Sequence, residues 1–202
     1  MKIYKVQPYS SASNEYILTA DDKTAVVIDP SDPEILRDLN KYRLECKAVL
    51  LTHGHYDHIG GCGVLFEIGA AICCGEREKD LIFSNDYKNI FGGFTVPRFC
   101  ITKTFSNGEE FSFCGIKFIA ISTPGHTAGG VSYLVENNLF TGDTLFRGCV
   151  GRTDLPTGDF NMLVQSVKKL YSLKGDYYVY CGHGFDTTLE FEREHNPFIR
   201  NN

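Results

Sequence analysis

Positive charge is scarce in this 202-residue chain: 20 lysines and arginines face 25 aspartates and glutamates, giving a formal net charge of −5 and a pI near 5.7. Counterion release from a phosphate backbone needs clustered cations, so nucleic acid is not an expected partner. The chain also lacks any unbroken apolar run of about 18 residues, so no membrane-spanning helix is expected. Its start, MKIYKVQPYS, has no apolar segment of the kind a signal peptide carries, which predicts a cytoplasmic location. No C-x-x-C pair occurs among the eight cysteines (46, 62, 73, 74, 100, 114, 149 and 181). A chain of this size with its own core and no export signal needs no disulfide framework, so most of them read as buried free thiols. The adjacent Cys73 and Cys74 cannot easily bridge to each other. Low-complexity tracts and short solenoid repeats are absent as well.

Histidine is scarce too, with six in all, yet three of them fall within THGHYDHIGG, residues 52–61. His53, His55, Asp57 and His58 lie within six positions, a density of nitrogen and oxygen donors that suits a borderline divalent ion such as zinc. The apolar AVLL before them reads as a buried strand, and the stretch after Gly60 and Gly61 reads as helix. The donors therefore sit on a strand-to-helix turn, where open sheets place their ligands.

An apolar content of 43% is ample for a sizeable core, and a single domain spanning residues 1–202 is expected. Strands are predicted at 2–7, 14–19, 24–29 and 48–51, with a helix at 33–41 capped by Ser31 or Asp32. Residues 77–83 read as a short helix. Gly92, Gly93 and Pro97 mark an irregular loop over 86–99 that could gate a pocket. Hairpins are predicted for 109–114 with 116–122 and for 131–135 with 139–141, followed by a helix at 161–171 and a strand at 177–180. Both halves run antiparallel strands into a helix-flanked strand, which suggests two βα layers stacked through apolar sheet faces.

Three further signals follow apolar strands: His126 in STPGHTAGG, Asp143 in FTGDTLF and His183 in YCGHG. Singly, a histidine beside glycine is usually a turn residue, and an aspartate after glycine is usually a helix cap. Together with the first cluster they supply donors that one turn cannot, as a bound divalent ion requires.

In type and order, H-x-H-x-D-H followed by a later histidine, an aspartate and a final histidine resembles the metallo-β-lactamase superfamily across almost the whole chain. The resemblance implies an α+β fold, the αββα sandwich of two mixed β-sheets flanked by helices. It assigns His53, His55 and His126 to a first metal and Asp57, His58 and His183 to a second, with Asp143 bridging. Two divalent ions are implied, zinc foremost, with iron or manganese as alternatives. The implied chemistry is hydrolysis by a metal-bound hydroxide, with Asp57 both holding the second metal and orienting the hydroxide.

Residues 142–159, GDTLFRGCVGRTDLPTGD, and the ending EREHNPFI resemble short glyoxalase II-like hydrolases. Full-length hydroxyacylglutathione hydrolases carry a further C-terminal helical domain that supplies much of the glutathione site, and this chain stops about where it would begin. The implied substrate is a small thioester, S-lactoylglutathione or another hydroxyacyl thiol ester. Arg147 and Arg152 border the expected pocket and could each pair with a substrate carboxylate. The ordinary alternative is an ion pair between Arg152 and Asp154 that holds the loop. Tyr56, Phe94 and Phe146 are candidates for an acyl pocket.

The rival within the superfamily is a persulfide dioxygenase, which shares a similar GRTD segment and binds one iron through two histidines and an aspartate. Its ligands here would be His53 or its partners with His126 and Asp143; the hydrolase reading uses all seven donors. Diiron electron-transfer members usually carry glutamate at the position of His55, nuclease members need nucleic-acid contacts, and a secreted β-lactamase needs export.

Overall fold

Residues 1–7, 13–84 and 87–200 are described by a computed structural model. The first residue of the expected gating loop, Asp86, lies outside the described residues. One sheet is formed by β1 (Lys2–Val6), β2 (Glu15–Thr19), β3 (Thr24–Ile28), β4 (Glu45–Leu50), β5 (Ala71–Gly75) and β6 (Lys103–Phe105), side by side in that order. The first three strands meander antiparallel, whereas β3 to β6 run parallel. Parallel neighbours need crossover connections. These carry α1 (Ile35–Tyr42), α2 (Tyr56–Ile59), α3 (Cys62–Glu67), α4 (Glu78–Ile82) and α5 (Tyr87–Ile90).

The second sheet uses β7 (Glu110–Phe113), β8 (Ile116–Ser122), β9 (Val131–Val135), β10 (Asn138–Gly142), β13 (Tyr178–Cys181) and β14 (Thr187–Thr188). Its strand order is β14-β13-β10-β9-β8-β7, and only the β10–β13 pair is parallel. Between β10 and β13 lie a small ribbon, β11 (Leu145–Phe146) with β12 (Cys149–Val150), and α6 (Phe160–Tyr171); α7 (Leu189–His195) follows β14.

The pleat sorts the apolar residues into layers. Along β3, Val26 and Ile28 face the second sheet, while Ala25 and Val27 face the helix layer of α1 and α3. The same alternation puts Cys73 between the sheets and Cys74 under the helices, so the adjacent thiols point to opposite faces. On the far side, Leu163, Val167 and Leu170 give α6 an apolar stripe that packs on Leu139, Val179 and Cys181. The result is an α+β sandwich in αββα order, as the sequence implies.

Three local expectations are corrected. Helix α1 begins at Ile35 with Glu34 as its cap, because Glu15 captures the Ser31 backbone N–H at 2.6 Å, the Ser31 hydroxyl at 2.8 Å and the Asp32 N–H at 3.1 Å. Asp32 instead accepts the Glu34 N–H at 2.7 Å in a turn that leads into the helix. The segment read as irregular contains α5, and β5 went unread although AICC is an apolar run suited to a central parallel strand. No helix of the described residues is long and apolar enough to cross a membrane.

Candidate metal centre

The donors stand where strands of both sheets end. Asp29 follows β3 and His53 follows its parallel neighbour β4; His126, Asp143 and His183 follow β8, β10 and β13. Those last three strands all point the same way, since β8 and β10 are each antiparallel to β9 and β13 is parallel to β10. His55 is the residue before α2, which carries Asp57 and His58 one residue apart on its single turn.

The turn is held to both sheets. Thr52 donates its N–H to Asp29 Oδ1 at 2.7 Å, and its carbonyl accepts the Val131 N–H at 2.8 Å. Buried Glu78 clamps the other side, accepting the Gly54 N–H at 2.7 Å and the Thr127 hydroxyl at 2.9 Å. At the third turn, a Cβ on Gly182 would lie 2.2 Å from Asp143 Oδ1, so glycine lets the His183 loop close against that carboxylate.

Seven side chains converge. His53, His55 and His126 form one group and Asp57, His58 and His183 another, each with its ligand atoms within 4.8 Å of one another. Asp143 lies between: Oδ2 is 3.4 Å from both His126 Nε2 and His183 Nε2, and Oδ1 is 3.5 Å from His58 Nε2. His53 Nε2 and Asp143 Oδ1 are buried without a hydrogen-bond partner. Leaving such atoms unpaired is costly, and a divalent cation would satisfy both, so the donor set fits the metal the sequence implies.

Hydrogen bonds away from the cluster set the imidazole tautomers. His126 Nδ1 donates to the Arg152 carbonyl at 2.7 Å and His58 Nδ1 to Asp29 Oδ2 at 3.0 Å, which leaves the Nε2 lone pairs for a ligand. Thr52 Oγ1 donates to Asp29 Oδ2 at 2.6 Å and accepts from His53 Nδ1 at 3.1 Å, with the same effect. Charge divides the site. Burial, then crowding by His58 and His55, holds His53 well below its usual range, and burial with His126 pushes His55 down to about 3. On the other side burial is outweighed by Asp143 and Asp29 at His58, raised to about 9, and by Asp143 and Asp57 at His183, raised to about 10. Burial alone would raise Asp143 and Asp57 as well, but the histidines beside them hold both below the usual carboxylate range.

A family profile described as the metallo-beta-lactamase superfamily matches residues 11–183. The chain belongs to the metallo-beta-lactamase superfamily. It is 35% identical over 188 residues to a hydroxyacylglutathione hydrolase of Haemophilus influenzae, covering 89% of each. Among solved structures, the B3 metallo-beta-lactamase BLEG-1 is 32% identical with a TM-score of 0.89, over 98% of this chain and 99% of that one. TTHA1623, solved in a di-iron-bound form, is 32% identical with a TM-score of 0.85, over 97% and 100%.

Within this superfamily site, a cleft of about 630 Å³ opens over the donors, walled by Tyr56, Ile90, Phe91, Phe146 and Leu155. Phe94 packs behind Tyr56 with ring centres 5.7 Å apart and does not line the cleft. The two arginines part ways. Arg152 lines the cleft, but its fork is bonded to both oxygens of Asp154 at 2.7 Å, so the internal pair is formed. Arg147 is exposed and does not line the cleft; its guanidinium lies 5.8 Å from the Phe191 ring centre, across the ribbon. Asp29 and Glu78 escaped the sequence reading. Asp29 looked like the end of a strand, and nothing local marks Glu78 as buried in a helix of five residues.

Proposed function

We propose that the protein is a binuclear metal-dependent hydrolase of the cytoplasm that cleaves a small thioester, S-lactoylglutathione or another hydroxyacyl thiol ester. The convergence of six donors around Asp143, with five of the seven side chains lining one cleft, carries the reading. His53, His55 and His126 would hold one ion, Asp57, His58 and His183 the other, and Asp143 would bridge. When bound, two divalent ions, zinc or alternatively iron or manganese, supply Lewis acidity that makes water acidic near neutral pH and polarises a carbonyl.

The chain's own groups do the rest. The Asp57 carboxylate borders the cleft with Oδ2 3.3 Å from His183 Nε2, placed to accept a proton from the attacking water and fix its lone pair toward the substrate. Water oxygen adds to the thioester carbonyl, the C–S bond breaks, and the thiolate leaves to take up a proton. Tyr56, Phe91, Phe146 and Leu155 give the acyl group an apolar wall that keeps bulk water out. Support for thioester cleavage comes from the relative named hydroxyacylglutathione hydrolase.

The test is metal analysis by mass spectrometry on protein purified without chelator, alongside S-lactoylglutathione hydrolysis and oxygen uptake with glutathione persulfide. About two ions per chain with thioester cleavage is the expected result. A single iron with oxygen uptake would replace this reading with the mononuclear iron persulfide dioxygenase. Efficient opening of a β-lactam without thioester cleavage would also overturn it.

A further inference from the structure

Thiol carriers of small acyl groups are charged, yet the cation inside the cleft, Arg152, already has both prongs on Asp154. A second groove of about 220 Å³ lies alongside, lined by Arg77, Asp80, Ala128, Gly129 and Thr157 among others. The two share Ile90 as a common wall. They adjoin along two loops. Leu155 lines the cleft while Pro156 and Thr157 line the groove, and His126 lines the cleft while Ala128 lines the groove. For a substrate whose acyl carbon sits over the donors, the groove on the far side of Ile90 is the adjoining space for its other end.

Arg77 is the residue before α4 and Asp80 lies three further on, so the two belong to the same turn and border the same groove. Both are exposed, and neither has an ion-pair partner among the described residues. The groove's other acid, Glu78, is buried and already committed to Gly54 and Thr127. What remains is one unpaired guanidinium and one unpaired carboxylate facing a space of amino-acid size. A simple dianion would meet Asp80, and a simple cation would meet Arg77. A group bearing both charges satisfies both.

We propose that this groove is the subsite for the thiol arm of the substrate and receives an α-amino-acid zwitterion, its carboxylate on the Arg77 fork and its ammonium on Asp80. The γ-glutamyl end of glutathione has this chemistry. The proposal rests on the thioester reading and adds a specificity site to it: small acyl group in the cleft, zwitterionic carrier in the groove.

The experiment compares two thioesters of the same acyl group with the metal-loaded enzyme: S-lactoylglutathione and S-lactoyl-N-acetylcysteamine, whose thiol arm is uncharged. Arg77→Ala and Asp80→Asn are each expected to raise KM for the glutathione ester about ten-fold more than for the neutral ester, with kcat for the glutathione ester changed less than about two-fold. Arg77→Lys is expected to recover part of the loss, because it restores charge without the fork. Equal changes for both esters, or none, would overturn the subsite while leaving thioester hydrolysis standing. If the wild type cleaves neither ester, calorimetric titration with free glutathione decides the groove by itself: binding lost in Arg77→Ala supports it, and absence of binding to the wild type overturns it.

Discussion

Asp29 and His58 are joined by a 3.0 Å hydrogen bond from Nδ1 to Oδ2, and the same carboxylate oxygen accepts the Thr52 hydroxyl at 2.6 Å. One acid on the end of β3 thus orients two imidazoles of the cluster, His58 directly and His53 through Thr52. Asp29 has a φ of 52°, a conformation that asparagine also tolerates. Asp29→Asn is therefore expected to fold but to bind zinc about 10- to 100-fold more weakly, read by competition with a chromogenic chelator. Wild-type affinity in that variant would remove Asp29 from the site.

Asp57→Ala and His126→Ala are expected to lower turnover by at least about a hundred-fold with circular dichroism unchanged. Chelation should abolish the activity of the wild type, and readded zinc should restore it. Near-normal rates after full metal depletion would end the hydrolytic mechanism.

Glu78 gives a pH signature. Burial, only partly offset by the Gly54 N–H and the Thr127 hydroxyl, raises its carboxyl to about 7 from an ordinary 4.5. The folded state then binds the proton more tightly than the unfolded one, so this group favours folding fully below about pH 4.5, loses that contribution as the pH rises to about 7, and changes nothing further above. Glu78→Gln removes the slope. The variant should gain on the wild type by on the order of 3 kcal/mol between pH 4.5 and 8, measured by urea unfolding of metal-stripped protein. A pH-independent difference would refute the buried, protonatable clamp.

Gly125, beside His126, has a φ of 138°, and a Cβ there would lie 2.2 Å from the Leu163 backbone nitrogen in α6. Gly125→Ala must strain the turn and push the helix away, at about 2 to 4 kcal/mol. A fall in melting temperature together with weaker zinc binding is the expected outcome, since the strained turn also positions His126.

Cys100 is exposed, whereas Cys46, Cys62, Cys73, Cys74 and Cys181 are buried and Cys114 and Cys149 partly so. Ellman titration of native protein should show one fast thiol, and unfolded protein should show eight. Five or more fast thiols in the native state would contradict this packing.

Much of the site was legible because its donors are rare residue types at fixed spacing: three histidines in six positions, then His126, Asp143 and His183 after apolar strands. The hairpins and α6 were legible for a similar reason, since period-2 and period-3.6 patterns are local properties of the chain. Asp29 and Glu78 were not, because their roles depend on partners 23 to 49 positions away. The start of α1 shifts for the same cause: Ser31 is turned toward Glu15, 16 positions earlier, by its N–H and hydroxyl, and the helix begins at Ile35 after Glu34. For Arg152 the sequence leaves a substrate ligand and an internal ion pair open, and the fork closed on Asp154 selects the pair.

Neither group of donors belongs to one sheet. His53 and His55 come from the first and meet His126 from the second, and Asp57 and His58 meet His183 in the same way. On the binuclear reading, each ion would act as a rivet between the two halves of the sandwich. Loading and folding would then form one linked equilibrium, in which free metal at a hundred times its dissociation constant adds about 2.7 kcal/mol. A cell starved of that metal would hold a protein that is not only idle but looser along its seam, with its two halves open to proteases.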